Sequence, residues 1–121
     1  MQIAFLDDEP LLCELFVELF SDETIQIAAF TDAREFLNHV RNHRPDAVFL
    51  DYRLRGTTGD RVAAQLPMDI PKFLVTGEID AANGRWTGIF NRVFEKPIIV
   101  AEIRSLLRSL LKLPDLTRPS V

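Results

Sequence analysis

The sequence predicts an α/β fold, a doubly wound five-stranded parallel sheet with helices on both faces. Two observations support this fold class. Short apolar segments alternate with helix-like segments five times along the chain, which is typical of parallel strands joined by crossover helices. Several of the apolar segments are almost uninterrupted by polar residues, as expected of strands that are buried on both faces. The length of 121 residues fits a single domain.

Five segments are predicted to be strands because they are short, apolar and bounded by turn-forming or charged residues. They are IAFL (residues 3–6), IQIAAF (25–30), DAVFLD (46–51), KFLVT (72–76) and RVFEKP (92–97).

The first two helices have recognisable start signals. Pro10 suits the first turn of a helix, and the segment LLCELFVELF that follows is too apolar for a helix that buries one narrow stripe. We therefore expect this helix to be mostly buried or to face a partner as well. In the second helix, within residues 31–44, Asp32 and Glu35 have the spacing of a capping box.

The later helices are less uniform. The segment GDRVAAQL predicts a short third helix, and Gly84 and Gly88 interrupt the segment 78–91. We therefore expect the third and fourth helices to be short or irregular. Residues 99–111 predict a strong final helix. Its apolar stripe is expected to consist of Ile99, Ile103, Leu106 and Leu110.

Composition excludes some classes of protein. The net charge is −4 and neither end carries a basic block, which argues against direct binding of nucleic acid. No segment resembles a signal peptide or a membrane span. The single cysteine, Cys13, fits a reducing compartment and a place in the core. We expect a cytoplasmic protein with no membrane partner.

Polar residues follow four of the predicted strands. They are Asp7 and Asp8, then Asp51, Thr76 and Lys96. The carboxyl ends of parallel strands meet at one edge of the sheet, so these side chains are expected to lie together. Three carboxylates in one place require a counter-charge, and oxygen ligands favour Mg²⁺. With a lysine and a hydroxyl nearby, such a site could hold a phosphoryl group, and Asp51 could attack phosphorus as a nucleophile.

This ordered set of motifs resembles the receiver domain of two-component response regulators, over residues 2 to about 112. The resemblance implies that Asp51 is phosphorylated by a sensor histidine kinase or a histidine phosphotransferase, and that a downstream protein target then responds. It implies that Asp8 binds Mg²⁺ directly with help from Asp7. It also implies that Thr76 and Lys96 contact the phosphoryl oxygens.

Further features follow from the same resemblance. The backbone carbonyl of Arg53 would be a metal ligand, Gly59 matches a family glycine eight residues after the acceptor, and the Lys96–Pro97 bond would be cis. We expect a receiver domain at 2–112 and a polar tail at 113–121. Because strand-like sequence begins directly after Met1, a stand-alone, single-domain receiver is the expected type.

The chain also departs from the family pattern. Arg55 stands four residues after the acceptor, where proline is frequent in the family. Val93 stands three residues before the lysine, where the family has an aromatic switch residue. Phe94 is one place later and is expected to point to the opposite face of its strand. Trp86 and Phe90 are the other aromatic residues that could act with Thr76.

Two alternative functions are left open. A small aspartate-based phosphohydrolase also uses Asp, Thr and Lys at strand ends, but it typically has a second acid two residues after the nucleophile, where this chain has Arg53. A degenerate receiver would act only as a phosphorylation-independent interaction module.

We also consider a homodimer through the final helix or near Trp86. Except for its own phosphorylation and dephosphorylation, a receiver would not be an enzyme.

Overall fold

The structure is a computed structural model that describes residues 1–77 and 88–112. These residues form a five-stranded sheet, a two-stranded ribbon and four helices. The strands are β1 (Gln2–Leu6), β2 (Gln26–Phe30), β3 (Ala47–Asp51), β4 (Arg53–Leu54), β5 (Thr57–Thr58), β6 (Lys72–Thr76) and β7 (Arg92–Glu95). The helices are α1 (Pro10–Phe20), α2 (Ala33–Asn42), α3 (Gly59–Ala63) and α4 (Val100–Lys112). None of these four helices has the length and apolarity needed to cross a membrane.

The main sheet is entirely parallel and has the strand order β2-β1-β3-β6-β7. The fold class predicted from the sequence is therefore confirmed. The chain leaves β1 towards one edge of the sheet and leaves β3 towards the other. In open α/β sheets, a crevice forms at this reversal, at the carboxyl ends of the two strands. The topology thus places a ligand-binding position immediately after Leu6 and Asp51.

Two hydrophobic clusters pack on opposite faces of the sheet, because successive side chains of a strand point in opposite directions. On one face, α2 and α3 cover alternate residues of the central strands. The buried members include Ala4, Leu6, Phe36, Val40, Val48, Leu50, Val62 and Leu74. On the other face, α1 and α4 cover a cluster that is rich in phenylalanine. Its members include Phe5, Phe16, Phe49, Phe73, Phe94, Ile103 and Leu107.

The apolar surface of α1 is only partly buried. Cys13 and Phe16 lie in the core, and the ring of Phe16 stacks on Phe5 with a centroid separation of 4.1 Å. On the outer side, Leu11 and Leu15 are 77% and 44% exposed. Of the two expectations for this helix, that it is mostly buried is therefore wrong, because only Cys13, Phe16 and Phe20 are buried and an apolar outer surface is left.

The buried stripe of the final helix differs from the prediction. Ile103 and Leu107 are buried, whereas Ile99 is 58% exposed and precedes the first residue of α4. Leu106 and Leu110 are only partly buried against the core. The apolar residues on this helix extend over a wide arc, so the sequence pattern did not reveal which part of the arc faces the sheet.

The segment after Asp51 contains a feature that the sequence did not reveal. Strands β4 and β5 pair antiparallel as a small ribbon, and Gly56 at its turn has φ 77°, a conformation that glycine adopts readily. Helix α3 has five residues and is short, as predicted. Most of the segment 78–91, where an irregular fourth helix was predicted, lies outside the described residues, as do Trp86 and the tail 113–121.

Gly59 is required where α3 packs on the end of β3. A Cβ atom at this position would lie 2.3 Å from the carbonyl oxygen and 3.1 Å from the carbonyl carbon of Asp51, and both of these atoms belong to the backbone. We expect Gly59→Ala to lower the free energy of unfolding by about 2–3 kcal/mol, since overpacking against backbone is difficult to relieve. Urea unfolding measures this change. Gly88→Ala is the matched control because a Cβ there meets nothing within 4 Å, and equal effects of the two substitutions would contradict the explanation.

Candidate functional site

Asp7 is held at the carboxyl end of β1 by contacts from three directions. Its backbone N–H donates to the carbonyl of Phe30 at 3.1 Å, which extends the pairing of β1 with β2 by one residue. Its Oδ1 accepts a hydrogen bond from the backbone N–H of Glu9 at 3.0 Å. The Cys13 thiol donates to the carbonyl of Asp7 at 3.3 Å. The side chain is fully buried, so these contacts fix a carboxylate at the crevice between β1 and β3.

Asp51 is the last residue of β3, on the other side of the same crevice. Its Oδ1 accepts a hydrogen bond from the N–H of Tyr52 at 2.8 Å, and the residue is 7% exposed. The backbone that follows is held by α3, because the N–H of Gly59 donates to the carbonyl of Tyr52 at 2.7 Å. The small exposed fraction leaves a carboxylate that is desolvated but still reaches the surface.

Lys96 connects the two carboxylates. Its backbone N–H donates to the carbonyl of Thr76 at 2.9 Å, which fixes the residue just beyond β7. Its Nζ lies 2.9 Å from Oδ2 of Asp7 and 3.2 Å from Oδ2 of Asp51. The Lys96–Pro97 peptide bond is cis, as the resemblance to receiver domains implied. One ammonium group therefore bridges residues that lie far apart in the sequence.

Asp8 completes an acidic cluster with Asp7 and Asp51. One oxygen of each carboxylate lies within 4.8 Å of the others. Three carboxylates and the ammonium of Lys96 leave two formal negative charges uncompensated in the cluster. Oxygen ligands and a charge deficit of this size fit a hard divalent cation. Within the described residues, this is the only group of three or more potential metal-ligating side chains.

The protonation of the cluster reflects its burial. Desolvation, with a further contribution from the charge of Asp7, raises the pKa of Asp51 to about 6, although Lys96 acts in the opposite direction. For Lys96, burial lowers the pKa, but hydrogen bonds and attraction from Asp7 and Asp51 outweigh this effect and raise it. At neutral pH, Asp51 is mainly ionised and faces a charged ammonium.

The other residues suggested by the sequence lie around this centre. Thr76 ends β6 and is 1% exposed; it follows Val75, the register partner of Asp51. Arg53 begins the ribbon and its side chain is exposed. Thr76 is the last residue of β6, and Arg53 follows Asp51 by two residues. Both residues therefore lie at the same edge of the sheet as Asp51.

The side chains of the two residues Val93 and Phe94, shortly before Lys96, point to opposite faces of the sheet, as expected. Val93 packs against the cluster under α2 and α3, whereas Phe94 is buried in the cluster under α1 and α4. Phe90 is also buried, on the same face as Val93. Phe94 therefore cannot reach the face of the sheet that Val93 occupies without reversing the direction of its side chain.

Two parts of the arrangement were missed by sequence reasoning. The thiol of Cys13 supports the backbone of Asp7, and its pKa is raised to about 11 by burial and by the nearby charge of Asp7. The amide of Tyr52 orients Asp51. The position of a cysteine six residues after Asp7 only weakly indicates that its thiol supports the site. The hydrogen bond from the backbone amide of Tyr52 cannot be recognised from the sequence, because every residue except proline has such an amide.

Comparison with known proteins identifies the family. The model of the response regulator receiver domain matches residues 3–108. The chain belongs to this family. Receivers of this family act in two-component signalling through phosphorylation.

Curated relatives and solved structures agree with this assignment. The DNA-binding response regulator MtrA of Mycolicibacterium smegmatis is 31% identical over 115 residues, covering 88% of this chain and 50% of the relative. The transcriptional regulatory protein BaeR of Escherichia coli O6:H1 is 27% identical over 115 residues, covering 88% and 48%. This receiver thus spans about half the length of the curated relatives it matches.

Solved receivers have the same fold. A CheY-like receiver domain from Methylobacillus flagellatus has a TM-score of 0.80 and 26% identity, covering 91% of this chain and 98% of that chain. The response regulator TrrA of Thermotoga maritima, solved in complex with Mg²⁺ and BeF, has a TM-score of 0.81 and 23% identity, covering 90% and 97%. The second similarity supports the fold alone.

The charges around Asp51 predict opposite effects of two substitutions on its pKa in the metal-free protein. Removing the ammonium with Lys96→Met should raise the pKa of Asp51 above about 6, because a charge that favours the ionised form is lost. Asp7→Asn should lower it, because a repelling carboxylate is lost. Carboxyl-carbon NMR of selectively labelled protein in EDTA measures both values, and shifts in the same direction would contradict the assignment.

Proposed function

We propose that this receiver accepts a phosphoryl group from a phosphohistidine on Asp51, in a Mg²⁺-dependent reaction, and thereby switches or relays a two-component signal. The observation that supports this most strongly is the bridging of Asp7 and Asp51 by Lys96. The domain proposed to do this is 2–112.

The proposed chemistry assigns a task to each residue of the site. The ionised carboxylate of Asp51 attacks phosphorus, so that an O–P bond forms while the P–N bond to the donor imidazole breaks and the electron pair stays on that nitrogen. Lys96, already 3.2 Å from Asp51, pairs with a phosphoryl oxygen. The hydroxyl of Thr76 donates to another.

The carboxylates are proposed to hold the metal ion. Asp8 and Asp51 would bind Mg²⁺ directly, Asp7 would assist, and the backbone carbonyl of Arg53 would complete the protein ligands. The ion would neutralise charge on the phosphoryl oxygens during transfer. The close approach of the three carboxylates supports this assignment, since their charges repel one another without a cation.

The two alternative functions have less support. A phosphohydrolase with a second acid two residues after the nucleophile does not match this site, because Arg53 occupies that position. A phosphorylation-independent module would not need a desolvated acidic cluster, which is costly to bury. We therefore favour a receiver that is phosphorylated.

Phosphorylation can be tested with a small-molecule donor. After incubation with acetyl phosphate and Mg²⁺, intact-mass spectrometry should show one added phosphoryl group on the wild-type protein. Asp51→Asn should show none, because the amide is not a nucleophile. As a matched control, Asp46→Asn changes an exposed aspartate that lies just before the first residue of β3, and this variant should be phosphorylated normally. No mass gain in the wild type would contradict the proposal.

Metal binding has a separate test. Asp8→Asn should weaken the binding of Mg²⁺ at least tenfold, as measured by calorimetry, because it removes one charged ligand. Glu9→Gln makes the same change of charge one residue later, at an exposed position outside the cluster, and should change affinity less than threefold. Equal losses in the two variants would show a general charge effect and would contradict a site at Asp8.

The outer surface of α1 is proposed to receive the phosphodonor protein. A groove of about 270 Å³ runs between α1 and residues 96–100, and it is lined by Leu12, Leu15 and Ile98 as well as Lys96. Apolar surface thus continues directly to the site, which fits a helix that carries the phosphohistidine. The occupant would be a histidine kinase or a histidine phosphotransferase.

The exposed apolar surface of α1, which includes Leu11 and Leu15, predicts a difference between protein and small-molecule donors. Leu11→Arg combined with Leu15→Arg should slow phosphotransfer from a histidine kinase that phosphorylates the wild type by at least tenfold. The rate with acetyl phosphate should change less than twofold, because Asp51 is untouched. Phosphorylation time courses measure both rates, and equal slowing with the two donors would contradict docking at α1.

A further inference from the structure

A second groove lies on the opposite face of the sheet from α1, between α2 and α3. It consists of two adjoining cavities of about 640 and 420 Å³ that share Leu37, Arg41 and Gln65 as lining residues. Together the two cavities follow α2 from Ala33 to Arg41 and reach Arg44, two residues beyond the end of the helix. A groove that follows a helix for this distance has the shape of a site for an extended or helical peptide.

The floor of the groove is apolar. Val62 of α3 is buried beneath it, while Ala33 and Leu37 of α2 are partly buried against the same cluster. The side chain of Leu37 remains partly accessible from both cavities. An occupant with apolar side chains would therefore cover surface that α2 and α3 leave open to water.

The rim of the groove is positively charged. Arg34, Arg41 and Arg44 line it, with Glu35 as the one acidic lining residue. Arg44 is paired with Asp69 at 2.6 Å. Within residues 1–77 and 88–112, no ion pair engages Arg34 or Arg41. A basic rim is notable on a chain with a net charge of −4.

Arg34 and Arg41 both lie on the side of the groove that α2 forms. Arg34 and Arg41 are seven residues apart, so they lie two turns apart on the same side of α2. Leu37 lies between them in the sequence, at a position that faces the groove. This arrangement of apolar floor and cationic rim is complementary to an amphipathic segment whose apolar residues are flanked by carboxylates.

We propose that the groove between α2 and α3 binds an acidic amphipathic segment of a partner protein. Its apolar side chains contact Ala33 and Leu37, and its carboxylates pair with Arg34 and Arg41. The surface is distinct from the one that receives the phosphodonor, since α1 covers the other face of the sheet. The groove is also connected to the acceptor, because Thr57 of the ribbon after Asp51 lines it.

The proposal can be tested without knowing the partner. A display library of helical 16-residue peptides, randomised on one face, is selected against the full unphosphorylated chain, and binders are mapped by amide chemical shifts. We expect a class of binders that perturbs Leu37, Arg41 and Gln65 and is enriched in Asp and Glu beside Leu or Phe. The proposal is overturned if every binder maps elsewhere, or if the groove binders carry no excess of acidic residues.

Matched variants test the role of the rim. For an acidic groove binder, Arg34→Glu combined with Arg41→Glu should raise Kd at least tenfold, whereas lysine at both positions should keep Kd within about threefold. Arg108→Glu combined with Lys112→Glu makes the same charge change on exposed positions of α4 and should have little effect. Equal weakening by the α2 and α4 pairs would contradict specific docking. Because no phosphodonor is present, failure here is distinguishable from failure of the proposed phosphorylation.

Discussion

The ion pairing of Lys96 with Asp7 and Asp51 is the interaction on which the site depends. It joins the ends of β1, β3 and β7 at one point, with Nζ at 2.9 Å and 3.2 Å from the two carboxylates. Burying charges is unfavourable unless they are paired and hydrogen-bonded. Asp7 meets this requirement through Lys96 and the amide of Glu9. The acidic cluster as a whole still carries net negative charge, which a bound cation would compensate.

The sheet order explains why these charges can meet. Because β1 and β3 are neighbours and their connections leave in opposite directions, a crevice opens between the ends of the two strands. The strands beside the crevice are closely packed. Phe49 of β3 contacts Phe16 and Phe73 at centroid distances of 5.2 Å and 5.1 Å, and close packing of this kind limits movement of the strand that carries Asp51. On the other side, Gly59 lets α3 approach the backbone of Asp51.

Much of the fold and the convergence of the charged residues could be predicted from the sequence. Strands such as KFLVT are apolar, short and clearly bounded, and they ended where expected, so the polar residues after them could be assigned to one edge of the sheet. The burial of α4 was less predictable, because a broad apolar arc does not show whether Ile99 or Leu107 faces the core. The ribbon after Asp51 could not be foreseen, since strands of two residues have no periodicity. Hydrogen bonds from the amide of Tyr52 and the thiol of Cys13 depend on tertiary positions that no local pattern encodes.

Chemical trapping of the acyl phosphate is the sharpest test of whether Asp51 itself carries the phosphoryl group. Borohydride reduces an acyl phosphate to an alcohol, so a phosphorylated aspartate becomes homoserine. The protein is treated with acetyl phosphate and Mg²⁺, reduced, digested and mapped by tandem mass spectrometry. We expect homoserine at position 51 and unmodified aspartate at Asp7 and Asp8. Homoserine at another position, or a phosphorylated protein that yields none at position 51, would contradict phosphorylation of Asp51.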